Sequence, residues 1–250
     1  MMAAMEYLGI DVGGSGIKGA PVDVERGVLR GPRLSVPTPN PATPDAVIET
    51  IAGVAGRFDT GGAVGVAVPG AVQRGIVRTA ANIDPSWIEV DAARRLGARL
   101  ERPVVVLNDA DAAGIAEMRY GAGRDQRGTV MIVTLGTGIG TAIFVDGRLV
   151  PNLELGHLEI RGREAESRAS AAVRTTKSLS LSAWALRVDE VLRTYERLIW
   201  PDLFIIGGGI SKRAAEFIPT FTTRTPVVAA QLANDAGIVG AAAAASQAAG

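Results

Sequence analysis

Short apolar runs, each stopped by glycine or proline, alternate along the chain with stretches whose apolar positions recur at helical spacing. Tyr7–Asp11 reads as a strand ending at Gly13-Gly14-Ser15-Gly16. Strands at about Ile17–Val24 and Val28–Ser35 follow, with Arg26-Gly27 as their turn. The proline-rich stretch Val36–Pro44 is a loop. It leads to a helix near Asp45–Phe58, where Val47, Ile48, Ile51, Val54 and Ala55 form an apolar stripe. Ala63–Val68 is a buried strand stopped by Pro69-Gly70, Val90–Leu100 a helix and Val104–Leu107 a strand. Asn108-Asp109 then opens a helix over about Ala110–Tyr120.

The second half repeats the scheme. Thr129–Leu135 and Ile139–Val145 are strands around a glycine turn, and a helical region with breaks runs over about Glu164–Ile199. Leu203–Ile206 is a strand that leads into Gly207-Gly208-Gly209 and a helix start. Pro226–Ala229 is a last strand, and Ala236–Ala248 a final alanine-rich helix. The segments GIKGAPVDVERGVL, from Gly16, and GIGTAIFVDGRLV, from Gly138, share one pattern. Either the halves are duplicates, or two glycine-started hairpins look alike.

Composition narrows the function. The chain has 250 residues, enough for one large domain or two small ones. Its 26 basic and 26 acidic residues cancel, which disfavours general nucleic-acid or anionic-membrane binding and requires any basic patch to be local. With no cysteine there is no disulfide, thiolate zinc site or cysteine nucleophile, and the single histidine, His157, excludes a multi-histidine metal site. The N-terminus meets Glu6 without a basic segment, so no signal peptide is expected. The uncharged stretch Thr129–Val145 is interrupted by glycines and reads as a hairpin, not a membrane span. A cytoplasmic protein is expected.

Three glycine turns, each after an apolar strand, carry candidate chemistry: Gly13-Gly14-Ser15-Gly16 with Lys18, Gly136-Thr137-Gly138, and Gly207-Gly208-Gly209. Such turns let backbone N–H groups converge on an anion. Asp11 beside the first would repel bare phosphate, so Mg²⁺ between them is expected. Asn108-Asp109 admits two roles, a helix N-cap and a general base for a hydroxyl proton, and each residue could fill one. Glu154, His157 and Glu166 are polar groups of the kind a sugar needs, although separately each reads as a packed or solvated residue.

Together, GIDVGGSGIKGA, VAVPGAV, LNDADAAGIAEMRYGAG, TLGTGIGTAI, PNLELGHLEI and WPDLFIIGGGIS resemble the ROK sugar kinases of the actin/hexokinase-like superfamily over nearly the whole chain. RTAANID-x-SW, with NDADAAG-x-AE-x-RYGAG and IWPDLFI-x-GGGIS, resembles in particular the short bacterial polyphosphate glucokinases. The resemblance implies a two-lobed α/β fold of the ribonuclease H-like type with an active site in the cleft. The lobes would span 1–108, with the final helix at about 236–250 packing back, and 109–235. It implies phosphoryl transfer from inorganic polyphosphate, and also ATP, to the 6-hydroxyl of glucose.

By the same resemblance Asp109 is the base, and Asn108, Asp109, Glu154, His157 and Glu166 bind the sugar. Asp11, Gly13, Gly14, Ser15, Gly16, Lys18, Gly136, Thr137, Gly138, Gly207, Gly208 and Gly209 hold the donor, with Mg²⁺ indirectly on Asp11. Most ROK proteins carry a cysteine-rich zinc motif after the histidine. This chain lacks it, so no zinc is expected. The segment Glu166-Ser167-Arg168-Ala169-Ser170 aligns with the part just after that motif, which makes Glu166 the expected last sugar ligand. A homodimer is implied. The alternatives are an ATP-only hexokinase, a sugar-binding protein without turnover, and a sugar-responsive ROK regulator, disfavoured because so few residues precede the first strand.

Overall fold

The computed structural model describes residues 6–81 and 83–249. The N-terminal reading on residues 1–5, Asn82 of RTAANID, and Gly250 of the final segment lie outside the described residues. The chain forms two compact units, Met1–Ala116 with Asp235–Gly250, and Glu117–Asn234.

In the first unit, β1 (Glu6–Val12), β2 (Gly16–Asp23), β3 (Val28–Leu29), β4 (Leu34–Pro37), β5 (Val64–Val68) and β8 (Val104–Asn108) build one sheet, ordered β3-β2-β1-β5-β8 with β4 also on β2. The expected single strand Val28–Ser35 is two pieces, because Gly31-Pro32 interrupts it and proline has no N–H for the ladder. β3 pairs one end of β2 and β4 the other. A small hairpin of β6 (Val72–Gln73) and β7 (Ile76–Val77) stands apart.

Alternation along β5 explains the layering. Val64, Val66 and Val68 share one core with α1 (Pro44–Ala55) and α2 (Ala92–Leu100), whereas Ala67 meets α3 (Asp109–Tyr120) and the C-terminal helix through Ala112 and Ala241. A Cβ on Gly65 would run into the Ala241 carbonyl, so glycine there lets that alanine-rich helix lie against the strands.

The second unit holds β9 (Thr129–Leu135), β10 (Ile139–Val145), β11 (Arg148–Val150), β14 (Leu203–Gly207) and β15 (Val227–Ala229), ordered β11-β10-β9-β14-β15. Both sheets thus run hairpin, central strand, then parallel strands. The two similar sequence segments occupy the same place in each, as β2 and β10, which duplication explains and chance hairpin likeness does not. A short hairpin of β12 (Glu159–Ile160) and β13 (Arg163–Glu164) precedes the helices.

The helical region resolves into α4 (Ala165–Ala169), α5 (Ala171–Thr176) and α6 (Leu181–Ile199). Serines make the breaks. Ser170 Oγ accepts from the Val173 N–H at 3.3 Å and Ser180 Oγ from the Ala183 N–H at 3.1 Å, each restarting a helix. Helix α6 buries Trp184, Val188, Val191, Leu192 and Tyr195 at helical spacing. Short α7 (Ala214–Phe217) follows β14, and α8 (Ala236–Ala248) is the C-terminal helix of the first unit. Among the described residues no helix is long and apolar enough to cross a membrane.

Candidate active site

In the first unit β1, β5 and β8 run parallel, with Asp11 beside Ala67 and Val68 beside Asn108. Their C-terminal ends therefore share one sheet edge, where open parallel sheets bind ligands. The two roles open at Asn108-Asp109 separate here. The buried Asn108 side chain accepts from the Ala110 and Asp111 N–H groups, at 2.7 and 3.0 Å, and donates to the Gly70 carbonyl at 3.1 Å. Asn108 is thus the cap of α3. Asp109 is the first helical residue, half-buried, and its Oδ1 accepts from the Ala110 N–H at 2.8 Å. A carboxylate in this first turn is favoured by the helix dipole.

Asp11 lies across the β1–β2 ladder from Lys18, with Nζ 3.7 Å from its Oδ2. Burial raises its pKa, opposed by the charges of Lys18 and Arg33. Gly237, in the first turn of α8, packs on the carboxyl. The adjacent turn closes with the Gly13 N–H on the Gly16 carbonyl at 3.0 Å, and the Thr38 hydroxyl donates to the Gly13 carbonyl at 2.5 Å. Gly14 and Ser15 are exposed, and a Cβ on Gly14 would touch nothing within 4 Å.

In the second unit, the Gly136 N–H closes the β9–β10 turn on the Gly138 carbonyl at 3.0 Å. Two outside groups fix this turn. The Ala172 N–H donates to the Gly136 carbonyl at 3.1 Å, and Glu166 accepts the Ile139 N–H at 3.3 Å. Glu166 is therefore a largely buried acceptor, not a solvated surface acid. Gly207 pairs with Thr134, and Gly208 has φ +84° with its Cα against the Leu135 carbonyl, so the third glycine turn lies alongside the second.

Glu154 precedes a single helical turn, Leu155–His157. That turn is held through Leu155, whose N–H donates to Thr141 Oγ1 at 3.2 Å and whose carbonyl accepts from the Tyr195 hydroxyl at 2.8 Å. His157 Nε2 stands 3.8 Å from Glu154, and its Nδ1 stands 3.4 Å from Glu164 and 3.9 Å from Glu166. Glu154, His157 and Glu166 are thus brought together. Burial raises the Glu154 pKa, the His157 charge lowers it and Glu166 adds to the rise.

Residues 7–168, well over half of the sequence, match the model of the ROK family. This chain belongs to the ROK family. It is 54% identical to the polyphosphate glucokinase of Mycobacterium tuberculosis (strain CDC 1551 / Oshkosh) over 94% of this chain and 89% of that one. Among solved structures, it matches an inorganic polyphosphate/ATP-glucomannokinase from Arthrobacter sp. strain KM with a TM-score of 0.94 and 51% identity, covering 97% of this chain and 98% of that one. A ROK family glucokinase from Streptomyces griseus, in complex with glucose and AMPPNP, matches with a TM-score of 0.82 and 27% identity, covering 97% and 99%. The fold is that of the actin-like hexokinases.

Within this ROK chain, sequence reading missed Glu164, Thr141 and Tyr195. Glu164 is two residues before Glu166 on a strand of two residues, too short for a periodic signal. Tyr195 meets Leu155 from 40 residues away, a contact only the fold reveals. Among the described residues, one cluster of side chains and one lone carboxylate have the chemistry to hold a cation. His157, Glu164 and Glu166 place ligand atoms within 4.8 Å of one another. Asp11 fits Mg²⁺, which commonly takes one carboxylate and completes its shell with water and substrate phosphates. A cation there would offset the burial that raises the Asp11 pKa.

Proposed function

We propose that this chain is a polyphosphate-dependent glucokinase. It transfers the terminal phosphoryl group of inorganic polyphosphate, and also of ATP, to the 6-hydroxyl of glucose. The observation that carries this reading is the arrangement at the end of β8: Asn108 caps α3, and the half-buried Asp109 carboxyl stands at the helix start with its Oδ1 on the Ala110 N–H. The relatives named above support the choice of donor and sugar.

Asp109 takes the proton of the 6-hydroxyl as that oxygen forms its bond to phosphorus and the bond to the shortened polyphosphate, or to ADP, breaks. Glu154, His157, Glu166 and Asn108 pair the ring hydroxyls, which penalises sugars lacking one. N–H groups of the Gly13–Gly16, Gly136–Gly138 and Gly207–Gly209 turns, with Ser15, Thr137 and Lys18, hold phosphate oxygens. Asp11 would hold Mg²⁺, directly or through water. When bound, the ion supplies neutralisation of charge on the phosphates. The reading carries with it a cytoplasmic homodimer whose product feeds glycolysis.

Initial rates of glucose 6-phosphate formation, with glucose or mannose as acceptor and polyphosphate or ATP as donor, test it. Glucose with polyphosphate is expected to support turnover. Turnover with ATP alone would make the chain an ATP-only hexokinase, and none with either donor would overturn the reading.

A further inference from the structure

The chain has only three lysines, and two of them, Lys177 and Lys212, belong to the second unit. Helix α5 is seated on the first of those turns through the Ala172 N–H and the Gly136 carbonyl. Arg174 lies on α5 and Lys177 caps its end three residues later, so both side chains leave from the same face. The second turn lies alongside, as the contact of Gly208 with Leu135 requires. The single 3-10 segment that follows it, Gly209–Arg213, ends in Lys212 and Arg213.

One acid links the two sides. Arg213 holds Glu216 with Nε and Nη2, both at 2.7 Å, and keeps that carboxyl below the ordinary range, with the Arg174 charge contributing to the same effect. Arg213 and Arg174 thus share the carboxylate of Glu216, and Lys212 and Lys177 stand near them in the chain, one beside Arg213 and one three residues after Arg174. Lys177, Lys212 and Arg213 are exposed. The Arg174 Nε is buried and makes no hydrogen bond among the described residues.

We propose that Arg174, Lys177, Lys212 and Arg213 form a track that binds the phosphates of a polyphosphate chain behind the one being transferred. This rests on the donor proposed above. Several exposed cations suit a ligand that repeats one anionic unit, because each further phosphate adds the same attraction. Guanidinium groups add paired hydrogen bonds to phosphate oxygens. Attraction of this kind grows with chain length and weakens with salt.

The test is direct binding without turnover. Isothermal titration calorimetry with long-chain polyphosphate and with tripolyphosphate, at low and high salt, compares the native chain with the double variant Lys177→Gln/Lys212→Gln. Both lysines are exposed, and melting curves check that the variant folds; Arg174→Gln is a second variant, on α5. The double variant is expected to bind long-chain polyphosphate about tenfold more weakly at low salt, with a smaller loss for tripolyphosphate and a shallower salt dependence. Unchanged long-chain affinity in both variants, or equal losses for the two ligands, would overturn the track. Should the native chain bind polyphosphate through these residues yet transfer nothing from it, the donor reading falls and the track stands. Should it use polyphosphate while both variants bind it as tightly, only the track falls.

Discussion

In the first unit the hairpin β1–β2 sets Asp11 across from Lys18, one pair back from the end of its ladder at Val12 and Ile17. In the second unit the same register of β9–β10, counted from Leu135 and Ile139, sets Thr134 across from Gly140. One scaffold therefore carries an ion pair beside its turn in the first copy and a neutral pair in the second. The copies also fill their cores differently. The first brings α8 onto the sheet over Gly9 and Gly65, with backbone nearly touching backbone. The second packs α6 through large rings, with Trp184 and Phe217 edge to face at 5.2 Å. The comparison teaches that a duplicated sheet fixes where turns stand, whereas their charge and anchoring are set independently. The first unit supplies carboxylates at strand ends, and the second the cluster of Glu154, His157, Glu164 and Glu166.

If the chemistry of the first unit resides in Asp109, Asp109→Asn should lower turnover by about 10²–10⁴-fold while leaving the melting temperature nearly unchanged. Steady-state rates and melting curves on the same preparation check this, and near-normal turnover would remove the base from the account. The contrast in packing gives the next largest effects. Trp184→Ala in the second unit should cost about 3–5 kcal/mol of stability by leaving a cavity. Gly65→Ala should cost about 1–3 kcal/mol by driving a methyl into the Ala241 carbonyl. Denaturant unfolding measures both, and a neutral Gly65→Ala would show that α8 is not held close.

How much of this was legible in the sequence depended on how local the cause was. Strands β9 and β10 were readable to the residue because apolar runs stop at glycine on both sides of one turn, and α8 because an alanine-rich run continues without a proline. The break between β3 and β4 required weighing Gly31-Pro32 against an otherwise apolar run. Asn108 could be read as cap or ligand until the Gly70 carbonyl, 38 residues earlier, was found against its amide. The cluster of Glu154, His157 and Glu166 was legible as residue types, and Glu166 through the family pattern. Its supports were not, because Thr141 and Tyr195 act on Leu155 only after the sheet and α6 have formed.

Those supports give a smaller test. Tyr195→Phe removes the hydroxyl that holds the Leu155 carbonyl, and a buried carbonyl without its donor costs about 1–3 kcal/mol. Because the loss falls on the loop carrying Glu154 and His157, KM for glucose should rise several-fold with kcat changed less. A proportional loss in both would make Tyr195 merely structural.

The smallest effect is in pH. Burial raises the Glu154 carboxyl in the folded chain, so the fold binds that proton more tightly than the unfolded chain does. The stability contributed by its neutral form is therefore lost as pH rises from the ordinary carboxylate range through the raised value. In Glu154→Gln this loss is absent, so the variant's melting temperature should gain on that of the native chain as pH rises through that window. Parallel curves would contradict the assignment.

The central claim is that this chain moves a phosphoryl group from polyphosphate to a sugar hydroxyl and not to water. Phosphorus NMR of the native chain with glucose, polyphosphate and Mg²⁺, without nucleotide, tests it most directly. A sugar phosphate ester signal should grow as polyphosphate signal is consumed, with little orthophosphate. Orthophosphate alone, or an unchanged spectrum, would contradict the account.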